Sequence, residues 1–166
     1  MYYKISDFLN DWDFEKEATL KIFGALTDES LKQKVSDHGR SLGLLGWHIT
    51  LSVGEMMSRT GLKFDSPDEN SDVPLSAEEI CRTYEAVSAA LTDSVKSGWK
   101  DESLNTEDDM YGQKWKRGVT LGILITHQIH HRGQMTVLMR QAGLKVPGIY
   151  GPAYEEWEKM GMAPMS

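Results

Sequence analysis

The sequence has little cysteine, little basic charge and no long apolar run, and each shortage excludes a class of protein. Cys81 is the single cysteine among 166 residues, which excludes an intrachain disulfide and a zinc site built from several cysteines. The 18 lysines and arginines are outnumbered by 25 acids, so the formal net charge is −7. Proteins that bind nucleic-acid phosphates concentrate basic residues on one face. The basic residues here are scattered, and we expect no nucleic-acid partner.

The chain also has no stretch that predicts a membrane partner or secretion. No apolar run approaches the roughly 18 to 20 residues that a membrane span requires. The N-terminal sequence MYYKISDFLNDWDFEKE has early acids and lacks the apolar segment of a signal peptide. Together with the scarcity of cysteine, this favours a cytoplasmic protein. The length predicts a single domain, residues 1–166, with a sizeable core.

Four segments with helical period are present, and breakers separate them. They lie at about 5–26, 40–59, 77–96 and 113–142. The SAEE sequence beginning at Ser76 predicts a capping box for the third helix, and Gly143 is placed to end the fourth. No segment has the period of a strand. The pattern predicts an all-α protein, a four-helix bundle, with a tail after the fourth helix that packs back on it.

Histidine is concentrated in one short segment of the predicted fourth helix. HQIHHRGQ, residues 127–134, holds three of the five histidines, although imidazole is costly in a core unless its ring nitrogens have partners. Residues four apart on a helix point in the same direction, so His127 and His131 can share one metal ion. Leu124 and Leu138 lie on the same stripe, which predicts that this stripe faces the core.

A third ligand is expected from a facing helix. His48 shares a stripe of the predicted second helix with Leu45 and Leu51, so it should also point inward. Three neutral imidazoles suit zinc, nickel or cobalt, with iron possible, and suit magnesium or calcium poorly. We therefore predict one divalent transition metal, preferably zinc or nickel, bound by His48, His127 and His131.

Each histidine also has an ordinary explanation, and the metal site is favoured because all three share inward stripes. Alone, His48 would be a core residue bonded to a carbonyl, and the pair on the fourth helix would be a metal-free surface pair. His130 lies on the shoulder of the ligand stripe, and His38 is expected at the surface. Glu55 is two helical turns from His48, too far to bind the same ion. We expect it to be an acid at the mouth of a cavity or an ion-pair partner of Arg59. Arg132 should point away, to the surface or an interface.

These residues resemble a known family. A histidine within the second helix, the HQIHHRGQ segment and the GLKVPGIYGP segment at 143–152 are similar to the DinB-like proteins, which include proteins described as YfiT-type metal-dependent hydrolases. The resemblance implies an up-down-down-up four-helix bundle with a divalent metal held by three histidines at the positions of His48, His127 and His131. Characterised relatives are bacillithiol S-transferases and a mycothiol-dependent maleylpyruvate isomerase with an added domain. The resemblance thus implies a stand-alone thiol transferase.

Three functions are compatible with this site. The preferred one is transfer of a low-molecular-weight thiol to an electrophile, since a bound metal lowers the pKa of the thiol; the partners would be two small molecules. The second is hydrolysis by metal-bound water, which needs a general base, and only Glu55 is available. The third is a non-catalytic metal-binding stress-response protein. Cys81 has no visible catalytic surroundings.

A homodimer is also predicted. Leu121, Ile125 and Ile129 lie on the side of the fourth helix opposite the histidines, where a water-facing surface should be polar. Gly118 and Gly122 fall on the same side and would permit close approach of another backbone. A second copy is the expected cover, as in many DinB-like proteins, with the tail or the long loop at 60–75 as the alternative.

Overall fold

Four long helices form the core of the protein in the computed structural model, which describes residues 1–163. The helices are α1 (Ile5–Phe23), α2 (Leu42–Ser58), α3 (Ala77–Gly98) and α4 (Arg117–Gln141). A hairpin of β1 (Glu107–Met110) and β2 (Gln113–Lys116) precedes α4. Short 3₁₀ helices lie at Ser30–Lys32, Asp101–Asn105, Tyr154–Glu156 and Glu158–Met160. Within the described residues no helix is both long and apolar enough to cross a membrane.

Contacts at the ends of α1 fix its direction relative to α3 and α4. The backbone N–H of Tyr2 donates to the carbonyl of Gly118 at 2.9 Å, so the beginnings of α1 and α4 lie together and these helices are parallel. The N–H of Ile5 donates to Asp101 Oδ1 at 2.8 Å, which places the beginning of α1 beside the end of α3. Helices α1 and α3 are therefore antiparallel.

The long connection between α2 and α3 returns the chain to the same end of the bundle. The Ser94 hydroxyl, near the end of α3, donates to the carbonyl of Lys63 just after α2, and Gly46 near the start of α2 packs against Ile80 near the start of α3. Helices α2 and α3 are thus parallel. The order is up, down, down, up, and the predicted bundle is confirmed.

Short polar side chains set where α2 and α3 begin. Ser41 accepts a hydrogen bond from the N–H of Leu44, and Ser76 accepts one from Glu79, which are N-cap geometries. The N–H of Ala77 also donates to Asp28 at 2.7 Å. Serine capping of α3 was predictable, because the cap and its partner are three residues apart.

The hairpin before α4 corrects the prediction that a helix begins near Gln113 and that no strand exists. Tyr111 has φ of 57° and Gly112 has φ of 81°, and two successive left-handed residues make the two-residue turn that suits a hairpin. Met110 is fully buried and anchors the first strand. Helix α4 begins only at Arg117.

The face of α4 opposite the histidines is covered within the chain, whereas a second copy, or else the tail or the loop at 60–75, was the expected cover. Leu121 is fully buried and Ile125 nearly so. A Cβ on Gly118 would overlap the carbonyl oxygen of Tyr2, so the glycine permits close approach of the chain's own N-terminal segment. The pattern of small and apolar residues therefore does not require a second copy.

Arg132 is buried, which corrects the prediction that it lies at the surface or an interface. Its guanidinium forms an ion pair with Glu15 of α1, and it also donates to the Thr19 hydroxyl at 2.9 Å. The Tyr150 hydroxyl bonds to both Arg132 and Glu15 at 2.8 Å. Since Tyr150 belongs to the tail and Val146 beside it is buried, the tail packs on the bundle as predicted.

Candidate metal centre

Three histidines from two helices meet inside the bundle. His127 Nε2 lies 3.2 Å from His48 Nε2 and 3.1 Å from His131 Nε2. The ligand atoms of all three lie within 4.8 Å of one another. Helix α2 contributes one ring, and α4 contributes two from successive turns. The structure thus brings together the residues that the sequence predicted as metal ligands.

The arrangement fits a divalent metal better than it fits mutual hydrogen bonding. Tetrahedral zinc with Zn–N bonds of about 2.0–2.1 Å needs ligand nitrogens roughly 3.3 Å apart, close to the separations around His127. A neutral imidazole carries one N–H, so His127 Nε2 can satisfy at most one neighbour by donating a proton. An ion would use the lone pairs that converge here.

Gln134 orients the ring of His131. His131 Nδ1 lies 2.8 Å from Gln134 Oε1, and because an amide oxygen only accepts, Nδ1 carries the proton. The lone pair of His131 is then on Nε2, which faces the other two rings. Such outer hydrogen bonds are typical of metal-binding histidines. The Gln134 amide donates in turn to His130 Nε2 at 3.1 Å, and His130 is not among the three rings whose ligand atoms converge.

The site favours neutral imidazoles. The pKa of His48 and of His127 is lowered to about 4, mainly by burial, with the charge of Arg40 and the neighbouring histidines acting in the same direction. Burial also lowers the pKa of His131, against the opposing effect of its bond to Gln134. Neutral imidazole is the form that binds a metal, so the three rings are in that form at pH 7.

A cavity of about 480 Å³ opens beside His131. This volume lies in the range of small-molecule sites. Its lining combines the polar residues Arg40, His130, His131 and Gln134 with the apolar residues Val35, Leu45, Val137 and Leu138. A ligand in this cavity would lie directly against one of the three histidines.

Glu55 of α2 is engaged with its own neighbours. Its Oε1 accepts a hydrogen bond from Arg59 at 2.6 Å and its Oε2 accepts one from the Tyr111 hydroxyl at 2.6 Å. Burial and the bond to Glu55 raise the pKa of Tyr111 to about 12. The expected pairing of Glu55 with Arg59 is confirmed, and both carboxylate oxygens are occupied.

The sequence did not point to Tyr111 or Arg40, since each reaches the site only through the fold. Tyr111 is at the tip of the unpredicted hairpin, and Arg40 precedes α2. His38 is exposed, as expected. Cys81 is only partly buried, and burial followed by the charge of Glu85 raises the pKa of its thiol, which is the wrong direction for a nucleophile.

Comparison with known proteins agrees with this architecture. The chain matches the DinB family over residues 1–164. It is 47% identical over 162 residues to the uncharacterized protein YrdA of Bacillus subtilis strain 168, covering 98% of this chain and 97% of that protein.

Two solved structures show the same fold. A DinB-like protein from Bacillus cereus ATCC 10987 has a TM-score of 0.87 and 45% identity, covering 90% of this chain and all of that one. A DinB-like protein of Bacillus subtilis, YjoA, has a TM-score of 0.68 at 17% identity, covering 89% and 99% of the two chains; at this identity it supports the fold alone. By its sequence and its structure, this chain belongs to the DinB family.

Proposed function

We propose that this protein is a metal-dependent transferase that joins a low-molecular-weight thiol to an electrophile. The observation that carries the proposal is the convergence of three neutral histidines beside a cavity of about 480 Å³. His48, His127 and His131 would hold one divalent ion, with zinc or nickel best suited to three imidazoles. Bound there, such an ion lowers the pKa of a coordinated thiol.

The chain's own residues would orient the reactants. Three protein ligands would leave room for an exogenous one, and a molecule in the cavity beside His131 would supply it. Gln134 fixes the ring of His131, and the apolar walls formed by Leu45 and Leu138 exclude water from one side. A thiol made acidic in this way would release its proton to solvent and form the new bond to the electrophile through its sulfur, so no protein nucleophile is needed, in keeping with the inert surroundings of Cys81.

Hydrolysis is less well supported because the acid expected to serve as its general base is already engaged. The acid nearest in sequence to the cluster, Glu55, already accepts hydrogen bonds on both carboxylate oxygens, from Arg59 and Tyr111. Attack by water requires a group that takes its proton. A thiol is far more acidic than water, so thiol transfer needs less help from such a base.

The test is a panel of small thiols and electrophiles with metal-loaded protein, with adduct formation followed by mass spectrometry. We expect an adduct with at least one pair, and we expect the His48→Ala protein to match the uncatalysed rate. Glu55→Gln should retain transfer within a few-fold, whereas loss of a general base costs roughly 10²–10⁴-fold. Hydrolysis of an ester probe without thiol, abolished by Glu55→Gln, would contradict the proposal.

A further inference from the structure

Arg40 is a charged group at the cavity that the metal centre leaves unused. It lies just before the N-cap of α2 and lines the cavity together with His131 and Gln134. A cation is therefore positioned within electrostatic range of any molecule bound against the histidines.

Within residues 1–163, Arg40 has no carboxylate partner, unlike most arginines of this protein. Four of the six form ion pairs inside the chain: Arg59 with Glu55, Arg117 with Asp108, Arg132 with Glu15 and Arg140 with Glu155. The other unpaired one, Arg82, lines a cavity together with Glu78 and Glu79. Arg40 thus differs in facing a cavity that has no acid in its lining.

The charge of the cavity lining is opposite in sign to the net charge of the whole molecule. The chain carries 25 acids and a net charge of −7, yet the cavity is lined by one arginine, two histidines and one amide among its polar residues. Val35 and Val137 supply an apolar wall on the same cavity. An anion is attracted to such a site and an isolated cation is repelled from it.

We propose that the cavity binds a small molecule that carries an anionic group, and that Arg40 is the specificity-determining residue that recognises this group. The ligand would direct its donor atom to the three histidines, lay a short aliphatic part against Val35 and Val137, and pair its carboxylate or phosphonate with the guanidinium. A planar guanidinium suits either anion through paired hydrogen bonds. This inference rests on the proposed function and specifies the charge class of its substrate.

The test uses metal-binding probes that contain no thiol, so that it is independent of thiol chemistry. Acetohydroxamate is the neutral probe, and the monohydroxamates of succinate and glutarate, with a phosphonate analogue, are the anionic ones. Binding to cobalt-loaded protein is followed by the visible spectrum. We expect at least one anionic probe to bind about tenfold more tightly than acetohydroxamate at low salt, and this advantage to shrink at high salt.

Variants decide whether Arg40 is responsible. Arg40→Gln should remove the advantage of the anionic probe and leave acetohydroxamate unchanged, Arg40→Lys should keep part of it, and Arg82→Gln should change neither. Equal binding of both probe types, failure of every anionic probe to bind, or an Arg40→Gln effect shared by the neutral probe would overturn the inference. A separate measurement adds 2-mercaptoethanol to the cobalt-loaded protein. Absence of any thiolate–cobalt absorption would count against the proposed function. The hydroxamate binding would still decide the role of Arg40.

Discussion

At the scale of single residues, Gln134 decides which nitrogen of His131 is free to bind. Its Oε1 accepts from His131 Nδ1 at 2.8 Å, and outer hydrogen bonds of this kind typically contribute 10–100-fold to metal affinity. We expect Gln134→Ala to weaken metal binding by about that factor, measured by competition with a chromophoric chelator. Gln134→Glu, which keeps an acceptor, should retain most of the affinity.

His38→Ala is the control for that experiment, since His38 is exposed in the loop before α2. It should bind metal as tightly as the unmodified protein. If Gln134→Ala and His38→Ala behave alike, the ring of His131 does not depend on the amide.

Some of these residue roles could be predicted from the sequence and others could not. His127 and His131 are four apart on one helix, so helical geometry alone aligns them. Arg132 is next to them, but its ion-pair partner Glu15 is 117 positions away. No local pattern reports such a partner. A charged residue in a helix was therefore expected at the surface, which was wrong here.

At the scale of secondary structure, the N-terminal segment and α4 are fitted to each other at Gly118. A Cβ at this position would overlap the backbone carbonyl of Tyr2, whereas at Gly122 it would make only ordinary contact with Met1. We expect Gly118→Ala to destabilise the protein by about 1–3 kcal/mol through overpacking. Gly122→Ala should be neutral or stabilising by up to about 1 kcal/mol, because alanine favours the helix. Urea denaturation measures both.

The same substitution in a chain that lacks residues 1–3 tests whether contact with Tyr2 causes the loss of stability. Removing residues 1–3 should make Gly118→Ala much less costly, since the carbonyl that it meets is gone. A penalty of the same size in the shortened chain would show that the effect comes from elsewhere.

A helix or strand could be predicted from the sequence where its local residue pattern matches the conformation that the folded protein imposes. The long amphipathic helices have clear periods and serine caps, and their existence follows from the sequence. The hairpin at 107–116 has only four residues per strand, too few for a period to stand out. Its turn uses Tyr111 with positive φ in place of the asparagine or aspartate that normally marks such a turn. Contacts of Tyr111 with Glu55 and Arg59 compensate for this conformation.

At the scale of the whole molecule, the buried histidines link stability to pH. In the metal-free protein the pKa of His48 and of His127 is about 4, against a usual value of 6.5. Below pH 6.5 the unfolded chain takes up protons first, so the contribution of the neutral rings is present above pH 6.5 and is lost as the pH falls towards 4. We expect the melting temperature of the metal-free protein to decline across this window.

The double variant His48→Ala/His127→Ala supplies the comparison for this decline. Its melting temperature should fall less steeply between pH 6.5 and 4, measured by differential scanning calorimetry after removal of metal. Identical slopes for the two proteins would mean that other groups, such as paired carboxylates, cause all of the acid sensitivity.

The homodimer stays a prediction, but the apolar residues of α4 that suggested its interface no longer support it. Leu121 and Ile125 are buried inside one chain, so neither is available to a second copy. The sequence could not tell whether a second copy or another segment of the same chain covers this stripe. An apolar stripe indicates that it is buried but does not identify what buries it. Sedimentation of the unmodified protein decides the oligomeric state.

We expect His48, His127 and His131 to hold one divalent metal ion, and elemental analysis measures that ion without relying on any activity. Protein loaded with zinc or nickel and then dialysed should contain about one ion per chain, and replacing any of the three histidines by alanine should leave little metal. His130→Ala should remain near one ion per chain, because that ring is exposed and bonded to Gln134. Near-stoichiometric metal in the His127→Ala protein would contradict the account.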